Sequence, residues 1–258
     1  MPHTIGSGMS AWTSSAVPQN ALNATPTHRA ARVSSVQLTG PAGRLEAVLN
    51  HGKEQARFAA LVCHPHPLGG GTLHNKVVYH AMKVLNDPAW GFEVPVLRFN
   101  FRGVGLSQGQ HDGQAEVEDV LAALHWLDAE YQLPILAAGF SFGAAMTLAA
   151  LSRPEAPSSV QAIACFGLPV EAEGRRYTYP ALPNLKQPKL FLSGDSDQFA
   201  PASELVRVTA LATEPRQIAF IENADHFFTG RIEQFQSEGG AVRGDPEGVG
   251  RIGGDVFT

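Results

Sequence analysis

The strongest constraint in the chain is a charge-free apolar run, Ile135–Phe140, that breaks at Gly139-Phe140-Ser141-Phe142-Gly143 and passes at once into the small-residue stretch 144–151. A buried strand that turns directly into a helix has room only for small neighbours at the corner. Gly139 and Gly143 provide that room, and Ala144 and Ala145 let the helix approach closely. The side chain at the tip of such a turn is Ser141, which projects out of the sheet. The N-terminus of the following helix aims backbone N–H groups at the same point.

Around this corner, strand and helix signals alternate. Residues 33–38 and 45–49 read as two opening strands joined through Gly40 and Gly43. Residues 58–63, 94–99, Ile135–Phe140, Val160–Phe166, 189–192 and 217–221 are further short apolar runs. Helical spacing appears over 74–85, where Val77, Val78, Met82 and Leu85 share a face, and over 114–131, where Val117, Val120, Leu121, Leu124 and Leu127 form one stripe. Glu116, Glu118 and Asp119 near the start of the second segment suit the helix dipole. Residues 144–151 and 203–211 complete the helix candidates. Uninterrupted apolar strands alternating with helices imply an α/β fold, a mostly parallel sheet covered on both faces. In such sheets, sites form beyond the carboxyl ends of the strands.

Composition sets the boundaries. The 258 residues are 44% hydrophobic and 17% charged, enough for one large core. Net charge is −5, which excludes a nucleic-acid footprint as the expectation. No run of 18 apolar residues exists, so no membrane span is predicted. No basic segment followed by an apolar stretch marks a secretory signal, and the protein is expected in the cytoplasm. Cys63 and Cys165 lie in strand-like runs and read as buried free thiols. Residues 1–32, with no Asp or Glu before Glu46, read as a disordered leader. Residues 237–258, with seven glycines and no helical period, read as a flexible tail. The ordered domain is then expected over residues 33–236.

A serine is a poor nucleophile at neutral pH and needs a base. In strand–serine–helix architectures the partners follow in the order serine, acid, histidine. One histidine follows Ser141: His226, in Asn223-Ala224-Asp225-His226-Phe227, just past the last apolar strand. The acid is expected in Gly194-Asp195-Ser196-Asp197, at the end of the preceding strand, where two aspartates compete. An oxyanion hole needs the N–H of Phe142, the residue after the nucleophile, and a second N–H from the loop after the third strand. That loop is His64-Pro65-His66-Pro67-Leu68-Gly69-Gly70-Gly71. Pro65 and Pro67 have no N–H, which makes His66 the first choice of donor and Leu68 the reserve.

Two other readings are weaker. Cys63, His64, His66 and His74 could suggest a metal, but the prolines constrain their geometry and no carboxylate is near in sequence, so no metal is expected. Gly103 and Gly105 could suggest a phosphate loop, but no Lys-Ser/Thr follows, and a tight turn fits better.

His64-Pro65-His66-Pro67 with Gly69-Gly70, then Asn75-Lys76, then Arg98-Phe99-Asn100-Phe101-Arg102-Gly103-Val104-Gly105, resembles the small lidless α/β-hydrolases related to dienelactone hydrolases and short-chain carboxylesterases. The resemblance covers residues 33–236. It implies the α/β-hydrolase fold with an eight-stranded mostly parallel sheet, a Ser–Asp–His triad and no cofactor. It also selects Asp197, because Gly194 and Asp197 match the family's glycine-x-x-aspartate loop; Asp195 is then expected to close the turn through backbone N–H groups. Relatives usually end in an amphipathic helix after the histidine, which residues 227–235 begin here. The function expected is hydrolysis of a small-molecule ester through an acyl-enzyme on Ser141, with His226 as base and Asp197 orienting it. A thioesterase, amidase or peptidase would use the same three residues, and a noncatalytic binding protein is the alternative of a different class. Dehalogenases and epoxide hydrolases of this architecture are disfavoured, because they need a carboxylate where Ser141 stands.

Overall fold

The computed structural model describes residues 33–172 and 174–240. The leader expected over residues 1–32, and the expected tail beyond residue 240, lie outside the described residues.

The chain opens with a hairpin, β1 (Val33–Gly40) and β2 (Gly43–Asn50), whose turn pairs Gly40 with Gly43. β2 then runs antiparallel to β4 (Val96–Phe99). From β4 onward every pairing is parallel: to β3 (Ala59–Cys63), β5 (Ile135–Phe140), β6 (Val160–Phe166), β9 (Lys189–Gly194) and β10 (Arg216–Ile221). The eight strands lie in the order β1-β2-β4-β3-β5-β6-β9-β10. A separate small hairpin, β7 (Glu171–Ala172) with β8 (Arg175–Arg176), sits in the connection from β6 to β9 and was not foreseen from the proline-rich sequence there.

The uncharged central strands are buried at every position because helices cover both faces. α2 (Glu116–Tyr131), α3 (Phe142–Leu151) and α4 (Ala202–Thr209) pack against Leu61, Leu97, Ala137, Ile163 and Phe191. α1 (Lys76–Asn86) and α5 (Ile232–Gly240) pack against the alternate residues Ala60, Val96, Ala138, Ala164 and Leu190. This is the period-two alternation of a strand serving two cores. No helix among the described residues is long and apolar enough to cross a membrane.

Several boundaries differ from the sequence reading, and two of them bear on the site and on the end of the domain. α3 begins at Phe142 and not at Ala144, because the strand-to-helix turn is completed by Ser141 alone. α5 continues to Gly240, four residues into the expected tail. Phe235 is its buried anchor, and a Cβ at Gly240 would lie 2.7 Å from the Trp90 ring. The helix thus ends against an aromatic face that tolerates no side chain, which glycine content alone does not reveal.

The chain steps from β3 to its outer neighbour β4, then crosses back to β5. The loop after β3 leads to α1 on one face, and the loop after β5 leads to α3 on the other. The carboxyl ends of β3 and β5 flank this change of direction, where sheets of this kind form their sites.

Candidate active site

Ser141 stands at this position, directly after β5. Its backbone has φ 54° and ψ −120°, a strained conformation for a residue with a side chain. The surrounding bonds leave it no alternative. Ser141 N–H donates to Phe166 O at the end of β6, and Ser141 O accepts from the N–H groups of Ala144 and Ala145. A Cβ at Gly139 would stand 2.4 Å from the Gly143 carbonyl carbon, and one at Gly143 would stand 2.5 Å from Cys63 O. The two glycines are therefore required by close backbone approach.

β10 delivers His226 to the same point. Its Nε2 lies 2.9 Å from Ser141 Oγ and its Nδ1 lies 2.8 Å from Asp197 Oδ2. A carboxylate accepts, so Nδ1 carries the proton and Nε2 offers its lone pair to the serine hydroxyl. The ring is 1% exposed and is enclosed by Phe140, Phe199 and Phe227. Asp197 is held in turn: Oδ2 accepts from Ser193 Oγ, and Oδ1 accepts from the N–H groups of Phe199 and Ala200. Asp195 is exposed and accepts only from Ser196 Oγ among the side-chain bonds described for it. The structure therefore brings Asp197 to His226, and the turn-closing role expected of Asp195 also falls to Asp197. The loops after β9 and β10 meet at Gly194, where a Cβ would stand 2.1 Å from Ala224 O.

The loop after β3 curls through a short 3-10 turn, Pro67–Gly69. His66 O accepts from the N–H groups of Gly69 and Gly71. His66 Nδ1 accepts from Leu68 N–H at 3.2 Å, so the reserve donor is engaged within the loop. The His66 ring lies edge-on to Phe142, with centroids 4.9 Å apart, which sets the loop beside the first residue of α3. The two residues named as oxyanion donors are thus in side-chain contact.

His64 does structural work. Its Nδ1 donates to Pro65 O at 2.7 Å and its Nε2 accepts from Phe101 N–H at 3.0 Å, which fixes the neutral tautomer. Burial lowers its pKa to about 4, although the bond to Pro65 O works the other way. Both ring nitrogens are spent, so His64 is not a ligand. Among the described residues no group of three His, Cys, Asp or Glu side chains is arranged to hold a metal ion. Cys63 and Cys165 are buried free thiols; burial pushes Cys63 up to about 12 and raises Cys165 further, leaving neither as a competing nucleophile.

One feature escaped the sequence reading. His111 Nδ1 lies 2.6 Å from Oε1 of the fully buried Glu116, and the His111 ring sits 4.9 Å from His66. Glu116 and Asp119 were read as dipole-complementing residues of α2. Both stand in the first turn of α2, as that reading has it, and both also face inward, Glu116 to His111 and Asp119 to Arg102. Burial of two acidic residues at a helix start could have been found only by noticing His111 and Arg102 shortly before them.

A strained serine between β5 and α3 thus lies in hydrogen-bond reach of a histidine, which in turn contacts a buried aspartate. Comparison with known proteins identifies the family. Residues 61–241 match the model of the alpha/beta hydrolase domain family, and the chain belongs to that family. An uncharacterized protein of Rickettsia prowazekii is 38% identical over 213 residues, covering 78% of this chain and 84% of its own. An alpha-beta serine hydrolase homologue from Coxiella burnetii superposes with a TM-score of 0.72 at 32% identity, over 82% of this chain and 97% of the other. A serine hydrolase without lid from Xanthomonas campestris gives 0.69 at 27% identity, over 84% and 97%.

Proposed function

We propose that the protein hydrolyses small carboxylic esters through an acyl-enzyme on Ser141. The observation that carries this reading is the continuous path from Asp197 through His226 to Ser141 Oγ, with both contacts under 3.0 Å. In the first step His226 Nε2 takes the serine proton as Oγ attacks the ester carbonyl. The carbonyl oxygen becomes an oxyanion, which the N–H groups of Phe142 and His66 stabilise. His226 then returns the proton to the departing alcohol. In the second step His226 takes a proton from water, hydroxide adds to the acyl carbon, and Ser141 leaves with that proton. Asp197 keeps Nδ1 protonated throughout and stabilises the imidazolium that forms twice per turnover.

The chain's own residues supply every proton transfer, so the reaction as written needs no cofactor. A cytoplasmic location is part of this reading and rests on the two buried free thiols. The test is a fluorophosphonate probe followed by a panel of esters, thioesters and amides. The reading expects one labelled residue, Ser141, and highest turnover on esters. Absence of labelling in a folded protein removes it, and preferred turnover of thioesters or amides moves it to another acyl class.

A further inference from the structure

The motif Arg98-Phe99-Asn100-Phe101 plays no part in the chemistry above, yet it contains a costly group. Arg98 is 5% exposed. Its Nη1 donates to Leu73 O at 3.0 Å and its Nη2 donates to Asn50 Oδ1 at 2.9 Å. Its Nε is buried without a partner, and no carboxylate among the described residues pairs with it. A guanidinium buried against two neutral oxygens is a poor way to gain stability; an apolar side chain of similar volume would usually do better. Burial accordingly lowers its pKa from the usual arginine value. Such a group needs a structural reason, and the atom it holds supplies one.

Leu73 closes the oxyanion loop. Its carbonyl takes the Arg98 bond, and its N–H donates to Asn100 Oδ1 at 2.8 Å. Asn100 is itself fixed, donating through Nδ2 to Glu46 Oε2 at 2.7 Å. The opening end of the loop is tied to the same stretch of chain, through Phe101 N–H and His64 Nε2. Between these ties the loop folds tightly on itself: His66 O accepts from Gly69 and Gly71 N–H, and a Cβ at Gly71 would lie 2.0 Å from Pro65 O. Leu73 is thus joined to His66 through a short, closely packed stretch of chain.

We infer that Arg98 is a positioning residue for catalysis, which holds Leu73 and thereby the closing end of the loop that presents the His66 N–H to the oxyanion. Arg98 touches no reacting atom. Asn100 fixes the preceding peptide unit through the Leu73 N–H, so the two residues act as one clamp on Leu73. The inference rests on the proposed hydrolase reading for its catalytic part, and on the loop geometry alone for its mechanical part.

The variant is Arg98→Met, with Asn50→Ala as the milder companion, since it frees the guanidinium without removing it. Short-chain p-nitrophenyl ester turnover, inhibition by phenylboronic acid and amide hydrogen exchange of residues 64–73 are measured on each. In Arg98→Met, kcat should fall roughly ten- to hundredfold with KM within about threefold, because a displaced donor weakens the transition state more than the ground state. The inhibition constant of phenylboronic acid, whose serine adduct places an oxygen in the oxyanion position, should rise by a similar factor. Exchange of residues 64–73 should quicken while that of β5 and β6 stays as in the wild type. Asn50→Ala should show the same signature more weakly, and Arg98→Lys should recover part of the lost kcat. Wild-type kcat in a folded Arg98→Met protein overturns the inference, as does a lost kcat with unchanged loop exchange. If Arg98→Met does not fold, wild-type kcat and exchange in Asn50→Ala overturn it. If the wild type neither turns over esters nor takes the fluorophosphonate probe, the hydrolase reading fails separately. Loop exchange in Arg98→Met then decides the clamp, supporting it when faster and overturning it when unchanged.

Discussion

Asp197 divides its carboxylate between His226 and its own turn: Oδ2 lies 2.8 Å from His226 Nδ1, while Oδ1 takes the N–H groups of Phe199 and Ala200. The oxygen that orients the histidine is thus fixed by backbone bonds made through the other. Orientation of the imidazole and closure of the loop are one property of one side chain.

That sharing separates two variants. Asp197→Asn should lower kcat by roughly 10³–10⁴, since an amide can favour the wrong imidazole tautomer. It should also lower stability by about 1–3 kcal/mol, because weaker acceptors replace a buried carboxylate. Asp195→Asn should retain activity and change stability by under about 0.5 kcal/mol, because its carboxylate is exposed and bonds only Ser196 Oγ. Circular dichroism melts and steady-state kinetics on both proteins decide it. An inactive, folded Asp195→Asn beside an active Asp197→Asn would reverse the assignment.

The backbone at Ser141 predicts a split between activity and stability. At φ 54° and ψ −120° an alanine carries the same strain as serine, whereas glycine carries little. Ser141→Ala and Ser141→Gly should both lose roughly 10⁴–10⁶ of turnover. Ser141→Gly should nevertheless be the more stable of the two by about 1 kcal/mol, the strain released less the added chain entropy. Equal melting temperatures would show that the turn stores no strain at this position.

Much of this was readable in the sequence because the governing signals are local. Apolar runs mark the strands, and Gly139 and Gly143 mark a corner where backbone packs on backbone. Ser141 and His226 follow from the order of elements. Asp197 was separable from Asp195 chiefly by resemblance, because choosing between two aspartates in one turn requires knowing which oxygen faces which ring. His111 with Glu116, and Arg98 with Leu73, stayed hidden because each joins polar groups that a solvated helix face or a strand edge would explain equally well. The end of α5 was misplaced for a related reason. Glycine at residue 240 signals a break by propensity, yet here its missing side chain makes room for Trp90.

Gly194 couples two loops that carry different site residues. A methyl group there would meet Ala224 O at 2.1 Å, so Gly194→Ala must push the Asp197 loop away from the His226 loop. A loss of kcat/KM of about ten- to hundredfold is expected, with about 1–3 kcal/mol of stability. The rate of Ser141 labelling by the fluorophosphonate probe should fall in parallel, since it depends on the same base. Unchanged labelling in this variant would mean that the loops adjust elsewhere.

His64 makes stability depend on mild acid. Its pKa lies near 4 in the folded protein against an ordinary value of 6.5, so over that interval the unfolded chain binds more protons than the native state. The stabilisation is complete above about pH 6.5 and is lost as pH falls through 4, by about 2–3 kcal/mol at pH 4.5. Protonation also removes the acceptor for Phe101 N–H, so the oxyanion loop should loosen in the same range. Urea melts at pH 7.5 and pH 4.5 measure the drop in the wild type, and His64→Gln should shrink it. An identical drop in both proteins would assign the acid sensitivity to other groups.

The connection from β6 to β9 predicts substrate size. It holds the β7–β8 hairpin and no helix, and it is tied down by Tyr179 Oη donating to Pro169 O and by Arg175 Nη1 donating to Gly113 O. Beside the site, Leu68 is 79% exposed and Phe227 44% exposed, as expected of an open rim. An acyl chain gains about 0.8 kcal/mol, roughly fourfold in kcat/KM, for each CH₂ it fully buries in the transition state. Chain beyond an open rim stays in water and gains almost nothing. On p-nitrophenyl esters the kcat/KM should therefore reach its maximum at acetyl to butyryl and stay level or fall toward octanoyl. A continued rise near fourfold per CH₂ through octanoyl, measured below the micelle concentration, would require a covered acyl groove and would contradict the open site.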